Sequence, residues 1–174
     1  MRMVLIAMAL LMTSAFAEAK GKWEVTKQER NCLYKNAFFE GATDHPITHQ
    51  GFIEVVLNRR SHADYPNDVC KVIYQDKAFS WTLRDRWVHV NESHAYAVIQ
   101  ILVDGILDGL KNGKLRPITF GATHYHATYV EPCWLPDMKR TNKLGHHIFY
   151  KQTQKTGACT RKHKATLALI EEGL

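Results

Sequence analysis

Glu40 is the side chain in this sequence whose setting best suits acid–base chemistry, because it directly follows two phenylalanines in the segment 37–42. Burial beside aromatic rings disfavours the ionised form of a carboxyl group and raises its pKa towards neutrality. A carboxyl group with such a pKa can protonate a glycosidic oxygen as a general acid. The same local pattern also fits an ordinary glutamate that reaches solvent from a helix end.

Histidine and aromatic residues are concentrated in two further segments, 122–134 and 145–150. Such rings line sugar-binding grooves, and imidazoles also bind metal ions. If the first segment contains a strand, His124 and His126 point to the same face, and together with His147 they could form a three-histidine zinc site. A third interpretation is that these histidines are packed or hydrogen-bonded structural groups.

A third group is Ser80, Trp81 and Thr82, in which a hydroxyl, a ring and a hydroxyl alternate. Ser80 is a poor candidate for a nucleophile because no G-x-S-x-G turn surrounds it. A retaining glycosidase would also need a second carboxylate about 5 Å from the acid. Its candidates are Asp44, Glu54, Asp64, Asp68, Asp85 and Asp137, of which Asp44 lies nearest to Glu40 in the chain.

Helices must position these groups, and the spacing of apolar residues predicts three of them. The first covers about 23–39 and places Glu40 at its C-terminal end. The second begins at Pro46, which is suited to the first turn of a helix, and ends near the turn at 65–68. The third covers about 92–110.

Four other segments are short, rich in aromatic and β-branched residues and bounded by turn formers, and we expect them to be short strands or ordered loops that carry the site. They are 69–74, 79–82, 123–130 and 147–150. The polar, basic stretch 151–164 follows, and 165–171 has the composition of a last helical turn or two.

The chain has 174 residues, 45% of them apolar, and no internal repeat or linker, which indicates one domain. Residues 1–17 have the layout of a secretory signal, with Arg2, an apolar run over 4–12 and Ala15-Phe16-Ala17 before Glu18. The alternative is an uncleaved anchor, but this run is far shorter than the roughly 20 residues that span a bilayer. We therefore expect an exported mature protein, 18–174, in the periplasm, the cell envelope or the extracellular space.

The net charge is +6, and loss of Arg2 with the signal segment leaves +5. A basic exported protein is suited to an anionic polymer such as the cell wall, so we expect no nucleic-acid partner. The four cysteines Cys32, Cys70, Cys133 and Cys159 allow two disulfides in any of three pairings. Cys70 lies in an apolar run and could instead be a free buried thiol.

Seven segments, in order, resemble the cell wall hydrolase family typified by the spore cortex-lytic enzymes of the SleB type. They are Phe39-Glu40, 55–59, 65–75, 79–82, 122–127, 132–134 and 145–150, and they span roughly 33–150. The resemblance implies an α+β, mainly helical fold, a single lysozyme-like domain with a small sheet and a core of about 30–151. It is an architecture related to lytic transglycosylases.

In that family the glutamate corresponding to Glu40 is the catalytic acid and base that cleaves the bond between N-acetylmuramic acid and N-acetylglucosamine in peptidoglycan. The resemblance implies a lytic transglycosylase that forms a 1,6-anhydro product without a metal or other cofactor, in wall remodelling or phage-type lysis. It also implies that eight residues line or brace the glycan groove. These are Ser80, Trp81, Thr82, Tyr125, His126, Trp134, His147 and Tyr150.

Two segments depart from the family pattern. Gly41 follows the glutamate where the family commonly has alanine, and the second helix carries Gly51-Phe52-Ile53-Glu54 where small residues are usual. Two alternative functions follow from the residues: a zinc-dependent wall amidase or peptidase that uses the histidines, and a peptidoglycan-binding module without catalysis. In each case we expect a monomer with no stable membrane insertion after processing.

Overall fold

A computed structural model describes residues 21–41, 43–83, 94–153 and 159. The predicted signal segment, the candidate carboxylate Asp85 and the predicted last helical turns lie outside these residues. The described elements are α1 (Lys27–Gly41), α2 (Pro46–Arg60), α3 (Val69–Ile73), a 3-10 helix (Ser80–Leu83), α4 (His94–Lys111), β1 (His124–Ala127), a second 3-10 helix (Leu135–Asp137), β2 (Met138–Leu144) and β3 (His147–Gln152). The prediction of a mainly helical fold with a small sheet is confirmed.

Helix α2 lies at the centre of the molecule, and every residue from Thr48 to Arg60 is buried. One side of α2 packs with α1, α3 and α4 in the larger apolar core. The other side packs on the sheet through Phe52, Val55, Leu144 and Phe149. Helices on one side and a sheet on the other thus cover residues 48–60 of α2.

Gly51 lets the sheet approach α2 closely. A Cβ atom at this position would lie 2.6 Å from Cζ of Phe149 and 2.8 Å from Cδ1 of Leu144. Contacts this short do not occur between carbon atoms, so a larger residue would push the sheet away from the helix. The segment 51–54, which departs from the family pattern, thus places a small residue, Gly51, and a large ring, Phe52, on the side of α2 that faces the sheet.

The segment 69–74 is not a strand or loop as predicted, because 69–73 form helix α3. The side chain of Asp68 accepts a hydrogen bond from the backbone N–H of Lys71 at 2.8 Å and so caps the helix. Cys70 is not a free thiol, since a disulfide to Cys32 connects α3 to α1. The second disulfide joins Cys133 to Cys159.

The three strands form an antiparallel sheet in the order β1-β3-β2. Strand β1 lies within the predicted segment 123–130, and β3 begins where the predicted segment 147–150 begins. Strand β2 was not predicted, because Met138–Leu144 is mostly polar and partly exposed. The segment 79–82 is also not a strand, since a 3-10 helix begins at Ser80. Among the described residues, no helix is both long and apolar enough to cross a membrane.

Candidate active site

Glu40 lies in the last turn of α1, and its side chain reaches strand β1. The hydroxyl of Tyr125 donates a hydrogen bond to Oε2 of Glu40 at 2.6 Å. Burial raises the pKa of Glu40, while the hydrogen bond from Tyr125 and the positive charge of Arg59 act in the opposite direction. The result is a carboxyl group that can hold a proton at higher pH than an exposed glutamate, in a fixed orientation.

The phenol of Tyr125 is fixed as the donor in this contact. Burial and the neighbouring charge of Glu40 raise the pKa of Tyr125 well above its usual value. The phenol ring packs on Phe52 and Phe149, with ring centroids 4.9 and 5.5 Å apart. Because the ring is held by packing, the hydroxyl can define where the carboxyl group of Glu40 points.

Helix α2 holds the segment that leads into β1. Asn58 donates through Nδ2 to the carbonyl of Ala122 at 2.8 Å, and Arg59 donates through Nε to the carbonyl of Thr123 at 2.6 Å. The guanidinium of Arg59 lies over the ring of Phe79 at 5.2 Å. These contacts fix the position of the start of β1 relative to α2, and with it the position of Tyr125.

Glu54 holds the preceding turn and is completely buried. Its two carboxylate oxygens accept hydrogen bonds from the backbone N–H groups of Ile118 and Thr119, from the Thr119 hydroxyl and from Gln50. A carboxylate saturated in this way has no free lone pair for a substrate. Glu54 is therefore a structural group and not the second catalytic carboxylate for which it was a candidate.

The sequence alone predicts no role for Asn58 or Arg59. Together with Glu54 they are buried polar residues of α2 that lie among its buried apolar ones. Buried polar groups need hydrogen-bond partners, so this pattern signals a segment that must fold against the helix. In the structure, each of these three side chains has a hydrogen-bond partner in the segment 118–123.

Strand pairing divides the predicted groove residues between two faces of the sheet. Tyr125 pairs with Phe149 and Ala127 with His147, so Tyr125 and His147 share the face towards α2 and Glu40. The distance between the Tyr125 and His147 ring centroids is 5.7 Å. These two are the predicted groove residues that the structure brings together with Glu40.

The opposite face of the sheet carries His124, His126 and Tyr150, which cluster around Trp134. The Trp134 centroid lies 5.1 Å from that of His124, 5.7 Å from that of His126 and 5.5 Å from that of Tyr150. His126 and Tyr150 are buried and stack on each other at 5.2 Å. This cluster braces the sheet from the side away from Glu40.

The three-histidine zinc site is not formed, because His147 lies on the opposite face from His124 and His126. Both ring nitrogens of His126 are also engaged, Nδ1 with the carbonyl of Ala127 at 2.8 Å and Nε2 with the hydroxyl of Tyr150 at 3.0 Å. Among the residues that the structure describes, no three His, Cys, Asp or Glu side chains are arranged to hold a metal ion. Burial and the charge of Arg59 lower the pKa of His124 to about 4, so its imidazole is neutral near pH 7.

The segment 80–82 supports Glu40 from the α1 side. Trp81 is buried and stacks on Phe39 with centroids 4.8 Å apart, and its Nε1 donates to Oδ1 of Asn36 at 3.0 Å. Thr82 donates to the carbonyl of Phe79 at 2.8 Å, and Ser80 is exposed. Trp81 therefore braces the helix that carries Glu40 and does not offer a free ring face to a sugar.

The family model described as Cell Wall Hydrolase matches residues 49–150, which include Tyr125 and His147 and begin after Glu40. No curated protein sequence matches the chain.

The fold is similar to the folds of two catalytic domains of known structure. One is that of the Bacillus cereus SleB protein, with a TM-score of 0.57, 23% identity and coverage of 74% of this chain and 94% of that one. The other is that of the germination-specific lytic transglycosylase SleB from Bacillus anthracis, with a TM-score of 0.59, 20% identity and coverage of 73% and 97%. The predicted resemblance is confirmed by both comparisons, and the chain belongs to the cell wall hydrolase family.

Proposed function

We propose that this protein cleaves the glycan strand of peptidoglycan between N-acetylmuramic acid and N-acetylglucosamine, as a lytic transglycosylase with Glu40 as its catalytic acid and base. The observation that carries the proposal is the carboxyl group of Glu40, partly buried at the end of α1 and held by the Tyr125 hydroxyl at 2.6 Å. The family match and the similarity to a solved lytic transglycosylase domain support the choice of substrate.

The reaction needs one group that first gives and then takes a proton. Protonated Glu40 donates to the bridging oxygen as the bond from that oxygen to C1 of the muramoyl sugar breaks. The carboxylate of Glu40 then takes the proton of the C6 hydroxyl of the same sugar, whose oxygen attacks C1 and closes the 1,6-anhydro ring. The raised pKa of Glu40 favours the first step, and the hydrogen bond from Tyr125 stabilises the carboxylate that the first step produces.

The groove residues fall into two proposed roles. Tyr125 and His147 face the same side as Glu40 and are the proposed contacts to sugar, with Ser80 and Thr82 at the edge near α1. The remaining four predicted groove residues are proposed to brace the site, because they pack in the core or on the far face of the sheet. They are Trp81, His126, Trp134 and Tyr150.

We further propose that residues 18–174 are the mature, exported protein, acting as a monomer on the cell wall. Two disulfides support an oxidising compartment, and the net charge of +5 that remains without Arg2 suits an anionic polymer. The same activity would serve wall remodelling by a bacterium or host lysis by a phage.

The test is mass spectrometry of the products released from purified peptidoglycan by the disulfide-bonded protein, by Glu40→Gln and by the control Glu131→Gln. Glu131 is exposed, so its variant should keep full activity. We expect 1,6-anhydromuramic ends from the wild type and the control, and a loss of at least about 10²-fold in Glu40→Gln. Free stem peptides, reducing muramic ends or a fully active Glu40→Gln would each contradict the proposal.

A further inference from the structure

The connection between α1 and α2 folds back on itself directly after Glu40. The backbone N–H of Asp44 donates to the carbonyl of Gly41 at 2.8 Å. A Cβ atom at Gly41 would lie 2.6 Å from Oδ2 of Asp44 and 2.9 Å from Cε2 of Phe52. The carboxylate of Asp44 therefore occupies the space that any side chain at position 41 would need, which accounts for glycine at the position where the chain departs from the family pattern.

The same carboxylate lies against His147. Oδ2 of Asp44 is 3.6 Å from Nδ1 of His147, and the two side chains are only 24% and 15% exposed. Nδ1 is enclosed and has no hydrogen-bond partner among the described residues. The imidazole ring packs edge-on against Phe52, with centroids 5.0 Å apart, and against Tyr125. Packing thus holds the ring, and the nearest carboxylate faces one of its two nitrogens.

We propose that Asp44 is a positioning residue of the glycan site, which acts through His147. By facing Nδ1, the carboxylate favours the tautomer in which Nδ1 carries the proton, as carboxylates do in other carboxylate–histidine pairs. Nε2 is then left as an acceptor for a hydroxyl group of the bound sugar, beside the Tyr125–Glu40 pair. This inference rests on the proposed function, because it assigns a sugar hydroxyl as the ligand of His147.

The charges around the ring are consistent with a neutral imidazole that depends on Asp44. Burial lowers the pKa of His147, Asp44 raises it, and His146 and His126 lower it further. Tyr125, the other titratable group against the ring, stays protonated. Asp44 also acts on His49 of α2, whose pKa burial lowers and the charge of Asp44 raises. His49 is fully buried, and the charge of Asp44 thus acts on two imidazoles, one on α2 and one on β3.

Two variants remove the positioning contact by different means. Asp44→Asn removes the charge, and Gly41→Ala keeps the charge but displaces the carboxylate through the contact at 2.6 Å. The matched control is Asp64→Asn, which changes the carboxylate of a second aspartate–histidine pair, with His62 at 3.9 Å on the exposed turn after α2. If one of the two variants fails to fold, the other still tests the proposal.

The first measurement is ¹⁵N NMR of the histidine side chains of the full protein across pH, with His147 assigned by its loss in His147→Gln. We expect the Nδ1–H tautomer in the wild type and in Asp64→Asn. In Asp44→Asn and Gly41→Ala we expect a lower pKa of His147 and a larger share of the Nε2–H tautomer. Unchanged His147 signals in both variants, or a pKa that rises, would overturn the proposal.

The second measurement is steady-state cleavage of soluble glycan fragments. Loss of the oriented acceptor should raise KM about tenfold in Asp44→Asn and Gly41→Ala, with a smaller change in kcat, because one hydrogen bond to the sugar is lost. A fall in kcat with unchanged KM would contradict the proposed role. A protein without glycan cleavage would refute the proposed function, while the NMR titration would still report on the Asp44–His147 pair.

Discussion

Glu54→Gln tests whether the buried carboxylate on α2 is structural. Oε1 of Glu54 accepts from Gln50 Nε2 at 2.8 Å and from Ile118 N at 2.9 Å, and Oε2 accepts from the backbone N–H and the hydroxyl of Thr119 at 2.8 and 2.7 Å. An amide replaces one of these oxygens by an NH₂ group. In one orientation the NH₂ group faces the donors of Gln50 and Ile118, and in the other it faces the backbone N–H groups of Ile118, 3.0 Å from Oε2, and Thr119.

The expected loss of stability follows from these contacts. A hydrogen bond to a charged acceptor contributes about 1.5–3 kcal/mol, so two of them contribute roughly 3–6 kcal/mol. Removal of a buried charge offsets part of this loss, which gives a net destabilisation of about 3–5 kcal/mol. For a protein of this size the melting temperature should fall by about 10 °C.

The assay is urea unfolding and thermal melting at neutral pH, followed by circular dichroism, with the exposed Glu131→Gln as the control. The control should unfold like the wild type. A destabilisation of Glu54→Gln below about 1 kcal/mol, the scale of a single neutral hydrogen bond, would refute the reasoning. So would a variant of unchanged stability that has lost all cleavage, since that result would place Glu54 in the reaction itself.

Three further predictions concern the glutamate, its partner and a disulfide. Because burial raises the pKa of Glu40 in the folded state, ionisation costs stability as pH rises through that pKa. Glu40→Gln should therefore melt higher than the wild type at about pH 8 and equally at about pH 4, and the reverse order would contradict this. Tyr125→Phe removes the hydrogen bond that lowers the pKa of Glu40, so the alkaline limb of kcat/KM should move to higher pH in a pH–rate profile. Loss of the Cys32–Cys70 disulfide, with a separation of 38 residues, should lower the unfolding free energy by about 4 kcal/mol in denaturant titrations, and an unchanged midpoint in Cys32→Ser/Cys70→Ser would count against it.

The sequence predicted the elements whose apolar residues follow a strong helical period. Helix α4 extends from His94 to Lys111, close to its predicted bounds, because one face of it is continuously apolar. The β-branched residues of 69–73 favour a strand or loop, but the hydrogen bond of the Asp68 side chain to the first turn stabilises a helix there. Strand β2 could not be found, because an edge strand of polar residues pairs through its backbone and leaves no apolar alternation.

The site was predictable in its parts and not in its arrangement. The aromatic setting of Glu40 pointed to a raised pKa, which is what burial in the structure produces. Tyr125 and His126 were grouped together, although neighbours on a strand point to opposite faces, and only the former faces Glu40. The disulfide pairing and the Asp44–His147 contact depend on which segments meet in three dimensions, so the linear spacing does not define them.

Successive residues of a strand point to opposite faces of the sheet, so the register of β1 and β3 decides which side chains reach the active site. A slip of one residue in β1 would present an imidazole to Glu40 in place of the Tyr125 phenol, whereas a slip of one residue in β3 would turn His147 away from Asp44. The irregularity between β2 and β3 lies at Arg140/Asn142, on the side of β3 away from β1. We therefore expect relatives to insert or delete single residues in β2, where a bulge accommodates an extra residue. In β1 and β3 we expect no single-residue insertions or deletions, because these would turn the site residues to the other face.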